Sequence, residues 1–252
     1  MKLKYIIASA LLSIASGASA QTLLGGAEIS HKFAFGLNLG AGIEYRSADW
    51  LSNSDQWSAE VSASYKPIKP LKIGVAYKFI QARYPAEQTS NYEVSAFWAN
   101  KHRVSIGLTG EWKPLKVLTL SLRERYQFTH RPSLQVPRFD IDDNSPAGNK
   151  TVAAKSKHIL RSRVMAEVKP SKKCRFTPYW SFELYSLLAD INHTKNRTGN
   201  AMFCDKWRVT AGTGFKINRH NSLDLFYRFA KTTDADELDA PHTVGLVYSF
   251  KL

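Results

Sequence analysis

Arginine occupies alternate positions twice in this chain, as Arg123 with Arg125 and as Arg161 with Arg163. Residues two apart share one face of an extended strand, so each pair puts two guanidinium groups on the same side. Arg103, Arg208 and Arg228 stand in the same phase of other alternating segments, together with one acid, Glu183. Guanidinium is a permanent cation with a planar fork of donors, and rings of Arg are a known way to select anions or phosphates. The competing reading is an interior ion-pair network in which Glu44, Glu60, Glu111, Glu167 and Asp224 neutralise the arginines and fill a narrow lumen. Antiparallel pairing predicts Arg161 opposite Glu183, with Arg123 and Arg125 beside Arg163 and Arg161.

Other chemistry is thinner. An acyl-transfer site would need His130, His158 or His193 with a carboxylate and a serine such as Ser133 or Ser156. No recognisable nucleophile motif surrounds any of them, so the sequence reads as a non-enzyme; the alternative is an outer-membrane protease or lipase working at the extracellular rim. Asp140, Asp142, Asp143 and Asn144 offer oxygen ligands without the spaced loop of a calcium site. No metal and no cofactor are expected. Cys174 lies beside a short turn and Cys204 at the end of a long loop, which places them at opposite rims. A strand of about ten residues separates them by roughly 30 Å, beyond the reach of a disulfide.

The arginines need strands to hold them, and the chain supplies alternating segments throughout. Leu37 to Arg46 has Leu37, Leu39, Ala41, Ile43 and Tyr45 on one face, and Asn38, Gly40, Gly42, Glu44 and Arg46 on the other. The pattern recurs near 57–66, 71–79, 103–113, 118–127, 160–169, 176–185, 207–217 and 223–230. Val244, Leu246, Tyr248, Phe250 and Leu252 make the last apolar face, backed by Gly245, Val247, Ser249 and Lys251. In each segment the arginines fall on the face opposite the apolar one. Glu124 is out of place on an apolar face, which predicts that it marks the end of the apolar band, near the headgroups.

Turn lengths then decide between a sandwich and a membrane barrel. Short turns near 67–70, 114–116, 170–173 and 218–221 alternate with long polar loops over 81–101, 130–157, 188–205 and 231–241. Outer-membrane barrels have short periplasmic turns and long external loops. A soluble sandwich would not place glycine and arginine on its core face. The fold expected is all-β, a transmembrane antiparallel up-and-down β-barrel of about 10 to 12 strands. Ten segments run from Leu37 to Leu252, which satisfies the even parity of bacterial barrels. Gly26 to Phe33 makes an eleventh, and Tyr92 to Ala99 is the candidate for a twelfth.

The ends of the chain agree with that location. Met1 to Ala20 has a basic start at Lys2 and Lys4, an apolar centre and a small-residue site at Ala18-Ser19-Ala20. That is the pattern of a signal peptide cleaved after Ala20, with 21–252 as a single barrel domain. Lys2 and Lys4 account for two of the formal +14 charges and no acid precedes Gln21, so the mature chain carries +12. Loop residues such as Lys195, Arg197 and Lys231 suit lipopolysaccharide phosphates. Nucleic acid is excluded as a partner, because no recognition motif gathers the basic residues. The strand Val244 to Leu252, with Phe250 third from the end, resembles the signal by which barrel-assembly machinery takes up its substrates.

Three short runs also carry a resemblance: Leu122-Arg123-Glu124-Arg125-Tyr126-Gln127, Leu160-Arg161-Ser162-Arg163 and Pro178-Tyr179-Trp180-Ser181-Phe182-Glu183. They are similar to the outer-membrane family of Gram-negative bacteria called domain of unknown function 2490. The resemblance spans essentially the whole mature chain and implies a barrel. It brings no activity, ligand or catalytic residue. The expected role is a narrow anion-attracting conduit of porin type, or a structural or adhesive surface barrel in the cell outer membrane.

Overall fold

Alternating faces become strands wherever a neighbour can take up the backbone hydrogen bonds, and here nearly the whole described chain does so. The computed structural model describes residues 22–48, 53–171, 173–193, 197–232 and 242–252. The expected leader, Lys195 and most of the 231–241 loop lie outside them. In chain order the strands are β1 (Thr22–Lys32), β2 (Leu37–Ala48), β3 (Asn53–Ile68), β4 (Leu71–Tyr84), β5 (Glu87–Gln88), β6 (Tyr92–Val94), β7 (Phe97–Leu115) and β8 (Leu118–Arg131). They continue as β9 (Leu134–Asp140), β10 (Pro146–Val152), β11 (Lys155–Val168), β12 (Phe176–Asn192), β13 (Arg197–Gly199), β14 (Met202–Lys216), β15 (Asn221–Thr232) and β16 (His242–Lys251).

Eleven of these close into one barrel, in the order β11, β8, β7, β4, β3, β2, β1, β16, β15, β14, β12, with β12 returning to pair with β11. Every neighbour is antiparallel except at the seam, where Thr22 to Ser30 of β1 runs parallel to Thr243 to Lys251 of β16. The even parity expected from ten strands therefore gives way to eleven. The cause is local: Gly36, at φ +90°, and the bond from the Phe33 amide to the Leu37 carbonyl (2.8 Å) fold β1 back onto β2. The free edge of β1 then meets β16. An odd ring must contain one parallel pair, and leaving either edge open in hydrocarbon would strand its amides and carbonyls.

The long loops are shorter than expected, because the strands run beyond the apolar band. Tyr92–Val94 is not a twelfth wall strand. It pairs with Arg138–Asp140 of β9, so that β10, β9, β6 and β5 form a separate four-stranded sheet joining two loops. One face of this sheet carries Val94 and Val136, both buried, and the Arg138 guanidinium lies 4.8 Å from the Tyr92 ring centre. The acidic residues beside it cap a turn. The Asp140 carboxylate accepts from the Asp142 amide (3.0 Å), and Asp143 accepts from the Ser145 amide (2.9 Å). Hydrogen bonds from Ser145, its hydroxyl first and then its amide, hold the Asp143 carboxyl below the usual range.

The outward face is apolar and accessible: Ile43 is 66 % exposed, Val61 56 % and Leu122 52 %. On a soluble protein such a ring would be an aggregation surface; around a barrel it is the lipid-facing band. A set of side chains recurs three times toward the long-loop end. Tyr77 with Phe79, Tyr126 with Phe128 and Tyr227 with Phe229 meet His102, His158 and His242 of the next strand. The tyrosine oxygen lies 2.8, 2.6 and 2.5 Å from the histidine Nδ1 in turn. Amphipathic rings of this kind suit the membrane–water boundary. Glu124 pairs with Leu108 and Ser162, two residues from the interfacial Tyr126, and accepts a bond from the Ser162 hydroxyl (2.7 Å).

Inward-facing residues form two levels. Leu24, Ile80, Ala82, Ala99, Ile159, Leu187 and Ala230 are buried, and all lie in the long-loop halves of their strands. Below them the wall is polar. Phe226 pairs with both Gly212 and Gly245, and Tyr179 pairs with Gly212, giving a row of alternating rings and glycines across β12, β14, β15 and β16. A Cβ at Gly245 would overlap ring carbons of Phe226, and one at Gly212 would stand 2.7 Å from Tyr179 Oη. The glycines let the two rings lie flat against the wall.

Candidate functional site in the barrel lumen

Strand register sets the arginines. Arg125 lies directly across from Arg161, and Arg123 across from Arg163, as the spacing predicts. Arg161 faces Tyr185, and it is Arg163 that faces Glu183, so the pairing of β11 with β12 is offset by two residues from the expected one. The cause is the length of the connection: both strands end farther from each other than a four-residue turn requires, at Val168 and Phe176. On the other side of Glu183 stands Arg208.

Like charges directly opposite on a sheet repel. Here a single carboxylate draws them together. Glu183 accepts from Arg123 Nη2 at 2.9 Å and from Arg161 Nη2 at 2.6 Å, and Arg208 Nη1 lies 3.6 Å away. Tyr185 donates its hydroxyl to the same carboxylate (2.9 Å). The Glu183 side chain is 5 % exposed, and those of Arg123, Arg161 and Arg208 are 11–15 % exposed. Tyr185 forms the floor of the cluster, with Arg161 4.5 Å, Arg208 5.2 Å and Lys206 5.6 Å from its ring centre. Arg161 also donates to the Gln127 side chain (3.3 Å).

The rest of the expected belt is arranged differently. Arg103 donates to the Thr129 hydroxyl (2.9 Å) and is not joined to Glu183. Arg228 lies over the Phe226 ring at 4.7 Å. Arg125 and Arg163 have no carboxylate partner among the described residues, and the Nε of Arg163 is buried without an acceptor. Four of the five acids expected to neutralise them are engaged elsewhere. Glu44 and Glu60 meet Lys78 at 3.5 and 4.0 Å, Glu111 meets Lys66 at 3.0 Å, and Asp224 accepts from the Tyr179 hydroxyl at 2.9 Å. The lumen is therefore sided, with guanidinium concentrated on β7, β8, β11, β14 and β15, around Glu183 of β12, and the carboxylates Glu28, Glu44 and Glu60 on β1 to β3.

Tyr185 and Gln127 belong to this site, and nothing in the residue types singled them out beforehand. Their phase was visible, since each is two residues from a charged member of the set; their contacts depend on the register of the ring. Among the other residues considered, Ser133 lies between β8 and β9, and His158 belongs to the interfacial set with Tyr126. His130, Ser156 and His193 come together at the long-loop rim. Cys174 and Cys204 are not joined by a disulfide. Among the described residues no group of three His, Cys, Asp or Glu side chains could hold a metal ion.

The sequence matches a protein family described as "Protein of unknown function (DUF2490)" over residues 23–239, nearly the whole barrel. The chain belongs to this family. No curated protein matches it. Among solved structures, this DUF2490 barrel is similar to the beta domain of the Bordetella autotransporter BrkA, at 9 % identity and a TM-score of 0.53, over 86 % of this chain and 83 % of that one. The NanC porin aligns at 13 % identity and a TM-score of 0.43, over 82 % and 86 % of the two chains. The Pseudomonas putida toluene transporter TodX aligns at 11 % and 0.39, over 79 % and 66 %. By its closed sheet and its likeness to the autotransporter beta domain, the DUF2490 chain has the fold of outer-membrane β-barrels, and that fold is consistent with residence in the outer membrane.

Proposed function

We propose that this DUF2490 protein is an outer-membrane barrel whose lumen attracts and retains anions, acting as a narrow anion-selective conduit. One observation carries the reading: among the described residues Arg125 and Arg163 face the lumen without an acid, beside three arginines that already share Glu183. A purely structural network would bring its carboxylates to these arginines. Instead Glu44, Glu60 and Glu111 are taken up by lysines. An uncompensated guanidinium in a low-dielectric wall is stabilised by a mobile anion, which is how a basic ring confers selectivity.

Planar-bilayer recordings test this with the full-length protein. Anion preference is expected, reduced in Arg125→Ala and Arg163→Ala. Cation preference, or selectivity untouched by both arginine substitutions, would refute the proposal. The partners that go with this reading are outer-membrane lipid, lipopolysaccharide and the assembly machinery, the last engaged through Val244 to Leu252. Removal of Phe250 to Leu252 is expected to abolish insertion, and normal insertion of the truncated chain would exclude that strand as the assembly signal. The leader cleaved after Ala20 belongs to the same picture.

A further inference from the structure

Ser156, the second residue of β11, is in register with His130 of β8 and Ile191 of β12. It therefore shares the outward face with Phe128 and His158, one step nearer the long-loop rim. Its Oγ lies 2.9 Å from His130 Nδ1 and 2.8 Å from His193 Nε2. A hydroxyl has one proton, so it donates to one ring and accepts an N–H from the other. Both rings are fixed. His130 stacks on Phe128 (6.5 Å between centres), the two imidazoles meet edge to face at 5.8 Å, and the His193 amide donates to the Ala154 carbonyl (3.1 Å).

We propose that Ser156 is the nucleophile, and His193 the general base, of an acyl-ester hydrolase site on the membrane face of this rim. A hydroxyl needs one partner to be satisfied; two imidazoles on one oxygen supply a base to take its proton and a donor to orient it. Ser156 itself is 2 % exposed beneath the two rings, and His193 is exposed, so an ester carbonyl approaches over the His193 edge. The site lies beside the interfacial Tyr126, Phe128 and His158 set, at the boundary where the ester groups of membrane lipids lie. The substrate class is accordingly a lipid acyl ester.

In the first half-reaction Ser156 Oγ bonds to the ester carbonyl carbon as its proton passes to His193 Nε2. The carbon–alkoxy bond breaks, and the leaving alcohol takes that proton. Water then attacks the acyl-serine and gives a proton to His193. The acyl carbon–Oγ bond breaks, Ser156 is reprotonated and the fatty acid departs. His130 is a positioning residue, donating Nδ1–H to Oγ. This site is independent of the lumen arginines.

The purified full-length protein in detergent micelles, its fold checked by heat-modifiable migration on gels, is treated with a fluorophosphonate probe and assayed on p-nitrophenyl octanoate. The expected result is a phosphonyl adduct at Ser156 and ester hydrolysis that falls at least about 100-fold in Ser156→Ala and in His193→Ala. His130→Asn, which keeps a donor, retains the wild-type pH profile of labelling, and His130→Phe shifts it upward. Absence of the adduct from Ser156 in the folded wild type, or turnover preserved in Ser156→Ala, would overturn the assignment. Identical profiles in wild type, His130→Asn and His130→Phe would remove His130 from it.

Discussion

Replacing Glu183 by Gln tests the electrostatic account of the lumen most directly. The carboxylate receives Arg123 at 2.9 Å, Arg161 at 2.6 Å and the Tyr185 hydroxyl at 2.9 Å, with Arg208 at 3.6 Å. Three guanidinium groups against one carboxylate leave a local charge of +2; the amide leaves +3 with nearly the same volume. Packing is thus conserved and the change is electrostatic. Each charge-assisted bond contributes about 1.5–3 kcal/mol, and breaking a buried pair by neutralising one partner costs about 3–5 kcal/mol. One interaction at about 4 Å and an effective dielectric near 20 is worth about 4 kcal/mol, which agrees. Glu183→Gln should therefore lower unfolding stability by about 3–5 kcal/mol, read as a shift in the guanidinium midpoint of the protein refolded into lipid vesicles. Pairing Glu183→Gln with Arg161→Met should recover part of that loss, because one of the stranded cations goes with it. A shift under about 1 kcal/mol, or no recovery in the double variant, would mean that the cluster is hydrated and the account wrong.

Two further outcomes follow from the ring. Gly245→Val should displace Phe226 from the wall and cost about 1–3 kcal/mol by overpacking, again read from the denaturant midpoint; an unchanged midpoint would show that the ring does not rest on that glycine. The parallel seam pairs Leu23 with Val244, so Leu23→Cys with Val244→Cys should form an oxidisable crosslink that alters gel mobility, while Leu23→Cys with Phe250→Cys should not. The opposite result would place β1 antiparallel at the seam.

Much of the barrel was legible in the residues because lipid and lumen impose opposite demands on alternate positions. Leu37 to Arg46, Leu118 to Gln127 and Val244 to Leu252 all show it, and each is a strand. The Arg123 and Arg125 register against Arg163 and Arg161 was legible too. The partner of Glu124 was not legible, because the Ser162 hydroxyl that satisfies it comes from the next strand and depends on the pairing of β8 with β11. Residues 92–94 misled, because β character alone does not say which sheet a strand joins.

By itself, then, the sequence determined the class of fold and the sidedness of the ten alternating segments from Leu37 to Leu252, since period two in hydrophobicity is a local property. The tertiary structure decided what depends on how the ring closes: eleven strands with a parallel seam, Glu183 at the centre of Arg123, Arg161 and Arg208, and Arg125 and Arg163 left without an acid among the described residues. It also decided that His130, Ser156 and His193, 63 positions apart from first to last, meet at one rim. Such meetings depend on pairing offsets between strands, and those are fixed by closure of the whole sheet rather than by any one segment.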